Sequence, residues 1–270
     1  MINYIQKLIV VSDVENLAPF AMRHTKISKL NKLMSEAFNI NGIGSSIYLS
    51  ICAQLYDLYS EDEDYEQAYN IALNIYQGSI ELNNETIKTE AIINLIEADL
   101  NINDILEAKK YYSKLNIHED NFYYPQYLVC KSQMAELEKN VKNETDYLRA
   151  AYNCSIKVDN PIDIQINILC ALCLSFEKNK IFEKAFHAYI ELSNQIAQNN
   201  YQLTNEQQLS LNVRIANLAG ISKNYNYALE IFSTLSNVTN KILRENHPLK
   251  KIINDKFEII KTFYKNQTNI

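Results

Sequence analysis

Five segments of this 270-residue chain share one skeleton, in which an aliphatic residue is followed by a polar turn and, thirteen positions after the aliphatic residue, by an alanine. The pairs are Leu55 and Ala68, Leu95 and Ala108, Leu137 and Ala150, Leu172 and Ala185, and Ile215 and Ala228. Successive alanines lie 40, 42, 35 and 43 positions apart. Four residues after the alanine come Ala72, Tyr112, Cys154, Tyr189 and Phe232. A recurrence of this length constrains a chain more than any single motif. Each unit is one supersecondary element that cannot bury its apolar face alone, so the units must stack.

Within a unit, apolar residues recur at helical spacing, pass through a polar turn, and recur again. The turns read Ser60–Asp64, Asn101–Asp104, Asn140–Asn143, Lys178–Lys180 and Ser222–Asn224. Their Asn and Asp residues cap the following helix and accept the backbone angles of a tight reversal. The alanine lets two helices approach closely, and an aromatic one turn later, as at Tyr112, Tyr189 and Phe232, fills the neighbouring groove. With 4 Gly and 4 Pro, the chain lacks the turn residues that β-hairpins need. An all-α protein follows.

The arrangement of an aliphatic residue, then aromatic-Glu-x-Ala, resembles the tetratricopeptide repeat, a helix–turn–helix of about 34 residues. Leu55–Tyr76 and Leu172–Glu191 carry it best, and the resemblance covers residues 48–238. Tyr56, Ile96, Glu138, Cys173 and Ala216 stand where that family usually has a small Gly, and Trp is absent. The resemblance implies a right-handed α-solenoid of about five such hairpins with extra N- and C-terminal helices. The expected division is 1–46 for N-terminal helices, 47–240 for the repeat array and 241–270 for a C-terminal capping helix.

The flanks are read separately. Residues 1–40 predict two helices, Asn3–Val11 and Val14–Phe38, with an irregularity at Pro19. Ser45 is expected to cap the next helix after the Gly42/Gly44 link. Pro248 opens a last helix to about Tyr264, with Leu249, Ile252, Ile253, Phe257, Ile260 and Phe263 on one stripe.

Several chemistries find no support. Cys170 and Cys173 have C-x-x-C spacing, but they lie in an apolar helical run without a second ligand pair, so core thiols are expected. His24, His118, His187 and His247 are scattered, and no nucleophile sits in a Gly-flanked elbow. There is no Gly-rich phosphate cradle, and Glu61–Glu66 lacks the central Gly and ligand spacing of a calcium loop. A non-enzyme without cofactor or metal is the expectation. The net charge of −6 and the diluted basic run Arg23–Lys32 disfavour direct nucleic-acid binding. No 18-residue apolar stretch marks a membrane span, and the five cysteines suit a reducing, cytoplasmic setting.

The expected activity is therefore binding. The leading reading is a bacterial scaffold or adaptor that takes a protein or short peptide on a concave face. The residues expected there are Glu90, Asn94, Glu97, Asn167, Glu177 and Asn217, with Tyr123 and Tyr124 bordering the groove. An Asn amide can hold a peptide backbone through its donor and acceptor together, and Tyr gives large contact area at low entropy cost. The alternatives are a signal-sensing regulator, similar to bacterial peptide-pheromone receptors, and a chaperone for a secreted protein. For the regulator, residues 1–40 look too short for the effector domain such receptors carry. Oligomerisation and the role of the N-terminal helices are left open.

Overall fold

The computed structural model describes residues 3–5, 7 and 17–268, and among these it contains twelve helices and no strand. The chain forms two compact units. The first holds α1 (Leu17–Asn41), α2 (Ser46–Glu61), α3 (Tyr65–Glu81), α4 (Glu85–Asn101), α5 (Ile105–Tyr112), α6 (Tyr124–Leu137) and α7 (Val141–Lys157). The second holds Tyr4, Ile5 and Lys7 together with α8 (Ile162–Lys178), α9 (Phe182–Gln198), α10 (Asn205–Ile221), α11 (Tyr225–Ile242) and α12 (Pro248–Thr268). Inside each unit the helices pack on their neighbours in sequence order, and α4 also meets α6, as α10 meets α12.

Each of the five hairpin turns is built the same way without glycine. Glu63, Asn103, Lys139, Lys180 and Lys223 take left-handed φ values of 58°, 63°, 57°, 59° and 64°. The next residue then turns its N–H back onto the helix just ended. Asp64 donates to Tyr59 O at 2.9 Å, Asp104 to Asp99 O and Asn140 to Ala135 O at 2.8 Å. Ile181 donates likewise to Phe176 O, and Asn224 to Ala219 O. This is the Schellman closure, which satisfies carbonyls left over at a helix end. Three of these residues also start the following helix. The side chains of Asp64, Asp104 and Asn140 accept the N–H of Gln67, Glu107 and Asn143.

A left-handed lysine is strained by its Cβ, whereas glycine is not. Lys139→Gly should therefore raise stability by up to about 1 kcal/mol, net of the extra freedom glycine gains when unfolded. Asn103→Gly should be nearly neutral, because Asn tolerates this conformation. Urea midpoints of the two variants against wild type would show it. A lower midpoint for Lys139→Gly would contradict the strained turn.

Between the turns, Ala68, Ala108, Ala185 and Ala228 are fully buried, as are Leu55, Leu95 and Leu172. The third unit departs from expectation. Ala150 is exposed and Leu137 only half-buried. Counted from Asn140, which opens α7, the equivalent positions are Lys131 and Glu144 rather than Leu137 and Ala150. Glu144 is buried, and the Lys131 ammonium lies 4.8 Å from the Tyr127 ring centre. A polar pair thus occupies the place of an aliphatic residue and an alanine, so hydrophobic patterning slid six residues along.

Ser45 caps α2 as expected, accepting the N–H of Tyr48. Pro19 lies in the first turn of α1, where its missing N–H is harmless. The expected helix Asn3–Val11 is not continuous: Tyr4 and Ile5 lie in a turn, Lys7 in a single tight turn, and the remainder falls outside the described residues. Helix α12 lays Leu249, Ile253 and Ile260 against its unit, with Asp255 and Lys256 exposed. Lys250, which lies off the apolar stripe, is also buried, with its ammonium 3.8 Å from Glu245. Gly220 admits Ile260, whose Cδ1 would lie 2.3 Å from a Cβ added there.

Candidate functional site

The first helix of every hairpin carries a stripe at seven, ten and fourteen residues before the residue that opens the second helix. A 4-then-3 spacing keeps three side chains on one helix face. The positions are Ser50, Gln54 and Asp57 on α2, then Glu90, Asn94 and Glu97 on α4, then Gln126, Cys130 and Gln133 on α6. On α8 they are Asn167, Ala171 and Leu174, and on α10 Ser210, Arg214 and Asn217. Five of the eight residues expected at a site fall on this stripe: Glu90, Asn94, Glu97, Asn167 and Asn217. Glu177 lies one turn beyond it, and Tyr123 and Tyr124 flank its start on α6.

In the first unit the stripe is acidic and hydrogen-bonded. The Tyr56 hydroxyl donates to Glu97 Oε2 at 3.1 Å and stands 3.2 Å from the Asn94 carbonyl. Tyr123 donates to Glu90 Oε2 at 2.9 Å. Tyr124 is half-buried, its ring 5.6 Å from that of Tyr127. Asp57 reaches solvent yet sits deep among neighbouring atoms. That burial, followed by the charges of Glu61, Glu90 and Glu97, raises its carboxyl above the ordinary range. Gln126 buries its Oε1 with no hydrogen-bond partner. From residue 46 to residue 108, Lys88 is the one basic side chain against thirteen acidic ones, of which Asp62 is paired by Arg23 and Glu107 by Lys110.

Off the stripe, the same helix buries Asp99 in its last turn, with Oδ2 unpartnered. Burial first, then Asp104 and Glu107, pushes this carboxyl up to about 7, against a weaker opposing pull from Lys110.

In the second unit the stripe is engaged by the chain itself. Asn167 is buried and its Oδ1 accepts the main-chain N–H of Tyr4 at 2.6 Å. The Cys170 thiol donates to the Tyr4 carbonyl at 3.2 Å, and Arg214 donates to the Lys7 carbonyl at 3.4 Å. Arg214 also pairs with Glu177 Oε2 at 2.5 Å, and Tyr189 donates to the same oxygen at 2.7 Å. Glu177 is thus a positioning group for Arg214. Asn217 is half-buried on the next turn of α10.

Sequence reasoning placed the stripe but missed Tyr56, Cys170, Tyr189 and Arg214. Each looks like an ordinary core or surface residue until the helices are set side by side. Cys170 and Cys173 are buried thiols, and His187 is exposed beside the Phe186 ring. Among the described residues no three His, Cys, Asp or Glu side chains are placed to hold a metal ion. Among the same residues, no helix is long and apolar enough to cross a membrane.

Scanned against protein-family models and against curated proteins, the chain matches neither a family nor a curated relative.

Proposed function

We propose that this chain is a non-catalytic scaffold or adaptor whose tetratricopeptide-like hairpins form a right-handed α-solenoid and grip a protein or short peptide along the stripe of their first helices. Hairpins that repeat one turn design and pack in sequence order support the repeat reading. The observation that carries the binding reading is in the second unit. There, stripe side chains hold main-chain N–H and C=O groups of a peptide segment, the contacts a peptide-binding surface must make. The acidic excess of residues 46–108 in the first unit favours partners with basic segments. Five buried thiols fit a reducing compartment such as the cytoplasm.

The test pairs two half-buried stripe residues with two exposed ones. Asn94→Ala with Asn217→Ala should change stability by less than about 0.5 kcal/mol per site, and should weaken partner capture by roughly 1 kcal/mol per lost contact. Asn70→Ala with Asn153→Ala, on exposed faces of α3 and α7, should leave capture unchanged. Affinity capture with quantitative mass spectrometry reads both. Full recovery by the stripe variant together with loss by the exposed-face variant would overturn the reading.

A further inference from the structure

Tyr4 and Lys7 are held on the second unit through their main-chain groups. Both polar main-chain groups of Tyr4 are taken by side chains of α8, namely Asn167 and Cys170, and the carbonyl of Lys7 by Arg214 of α10. Next to Tyr4, Ile5 is 6% exposed, so an aliphatic side chain is sunk beside a residue that is held by its backbone. The Lys7 N–H returns to the Tyr4 carbonyl at 3.1 Å. The three anchoring bonds go to peptide groups that every peptide possesses, whereas the buried Ile5 selects for shape and hydrophobicity. A surface built this way does not depend on the occupant being part of the same chain.

We propose that the α8–α10 face bearing Asn167, Cys170 and Arg214 is a binding site for a short peptide turn with a large aliphatic residue at its centre, and that Tyr4–Lys7 is its tethered occupant, which such a peptide displaces. The proposal rests on the reading of the stripe as a peptide-binding surface and adds the ligand class and a competitor in cis. Covalent attachment gives the segment an effective concentration in about the millimolar range, so a free peptide must outbid it. Glu177 and Tyr189 hold the Arg214 guanidinium in place for either occupant.

The test uses the full-length chain and a fluorescent capped peptide spanning Met1–Ile9. Ile5→Asp ejects the tethered segment by asking a charge to take a buried position. Tyr4→Pro does so more gently by removing the N–H that Asn167 accepts. Each variant should bind the peptide at least about tenfold more tightly than wild type does, since losing one buried contact is worth that factor or more. Adding Asn167→Leu should abolish the gain, and a peptide with Asp at the Ile5 position should not bind. Alkylation of Cys170, followed by peptide mapping, should accelerate at least about tenfold in both variants, because the Tyr4 backbone no longer covers the thiol. If Ile5→Asp fails to fold, Tyr4→Pro carries the test. Equal peptide affinity in wild type and Tyr4→Pro, or no binding to either, would overturn the proposal. Failure of the broader function is distinguishable: the Asn94 and Asn217 variant would keep partner capture while peptide binding at Asn167 persisted.

Discussion

Leu172→Ala is expected to cost about 2–5 kcal/mol of stability, the range for emptying a fully buried leucine site that cannot collapse. Leu172 is completely shielded from solvent on α8, and α9 packs directly against that helix. The opposite change on the partner helix, Ala185→Leu, should cost about 1–3 kcal/mol by overfilling a position with no free surface. Ala150→Leu and Ala197→Leu, both exposed, should each stay within about 0.5 kcal/mol. Denaturant unfolding of the four variants tests the packing register. Should Ala150→Leu prove as damaging as Ala185→Leu, the third hairpin would have the register suggested by Leu137 and Ala150, and Glu144 would not be its buried equivalent.

Asp99→Asn should stabilise the protein at pH 8 by on the order of 2 kcal/mol, and the gain should vanish near pH 4. The wild-type carboxyl is buried in the last turn of α4, where the helix dipole already presents negative charge. Asp104 and Glu107 face it from the start of α5, and the Lys110 ammonium is drawn to Glu107. With a folded value near 7 against an ordinary 3.8, Asp99 holds more protons folded than unfolded between about pH 4 and pH 7. Stability therefore falls as pH rises through that window and stays at the lower level above it. The asparagine variant lacks this slope. Melting temperatures of both proteins at half-unit steps from pH 4 to pH 8.5 would show the difference, and parallel curves would place Asp99 in water-like surroundings.

The hairpins were legible because their physics is local. Helical spacing, a capping Asp or Asn, and a buried small residue four positions into the second helix all lie within about twenty residues. Leu55, Asp64 and Ala68 announce one hairpin without any knowledge of its neighbours. Where the interior used Lys131 and Glu144, the hydrophobic signal vanished and pattern matching settled on the wrong leucine. The candidate site was legible as a stripe but not as a set of contacts. The positions of Glu90, Asn94 and Glu97 follow from a 4-then-3 spacing, whereas their partners Tyr56 and Tyr123 come from separate helices. Asn167 shows the limit most clearly. Its place on the stripe was readable, but its bond to Tyr4 joins residues 163 positions apart, a distance over which periodicity carries no information.

The turn residues that finish one helix and begin the next set a rule for how this chain can change length. Asp64, Asp104 and Asn140 each serve with the main chain backwards and the side chain forwards, so no spare residue separates the two tasks. One added helical residue would rotate everything after it by about 100° and advance it by about 1.5 Å. Ala68 would then swing out of its interface, and a polar neighbour would swing in. Single-residue insertions and deletions are thereby barred from the hairpin turns and directed to the longer links at 113–123, 199–204 and 243–247. Within a hairpin, growth or shrinkage is confined to steps that restore the register between the two helices, which makes hairpin length a quantised property.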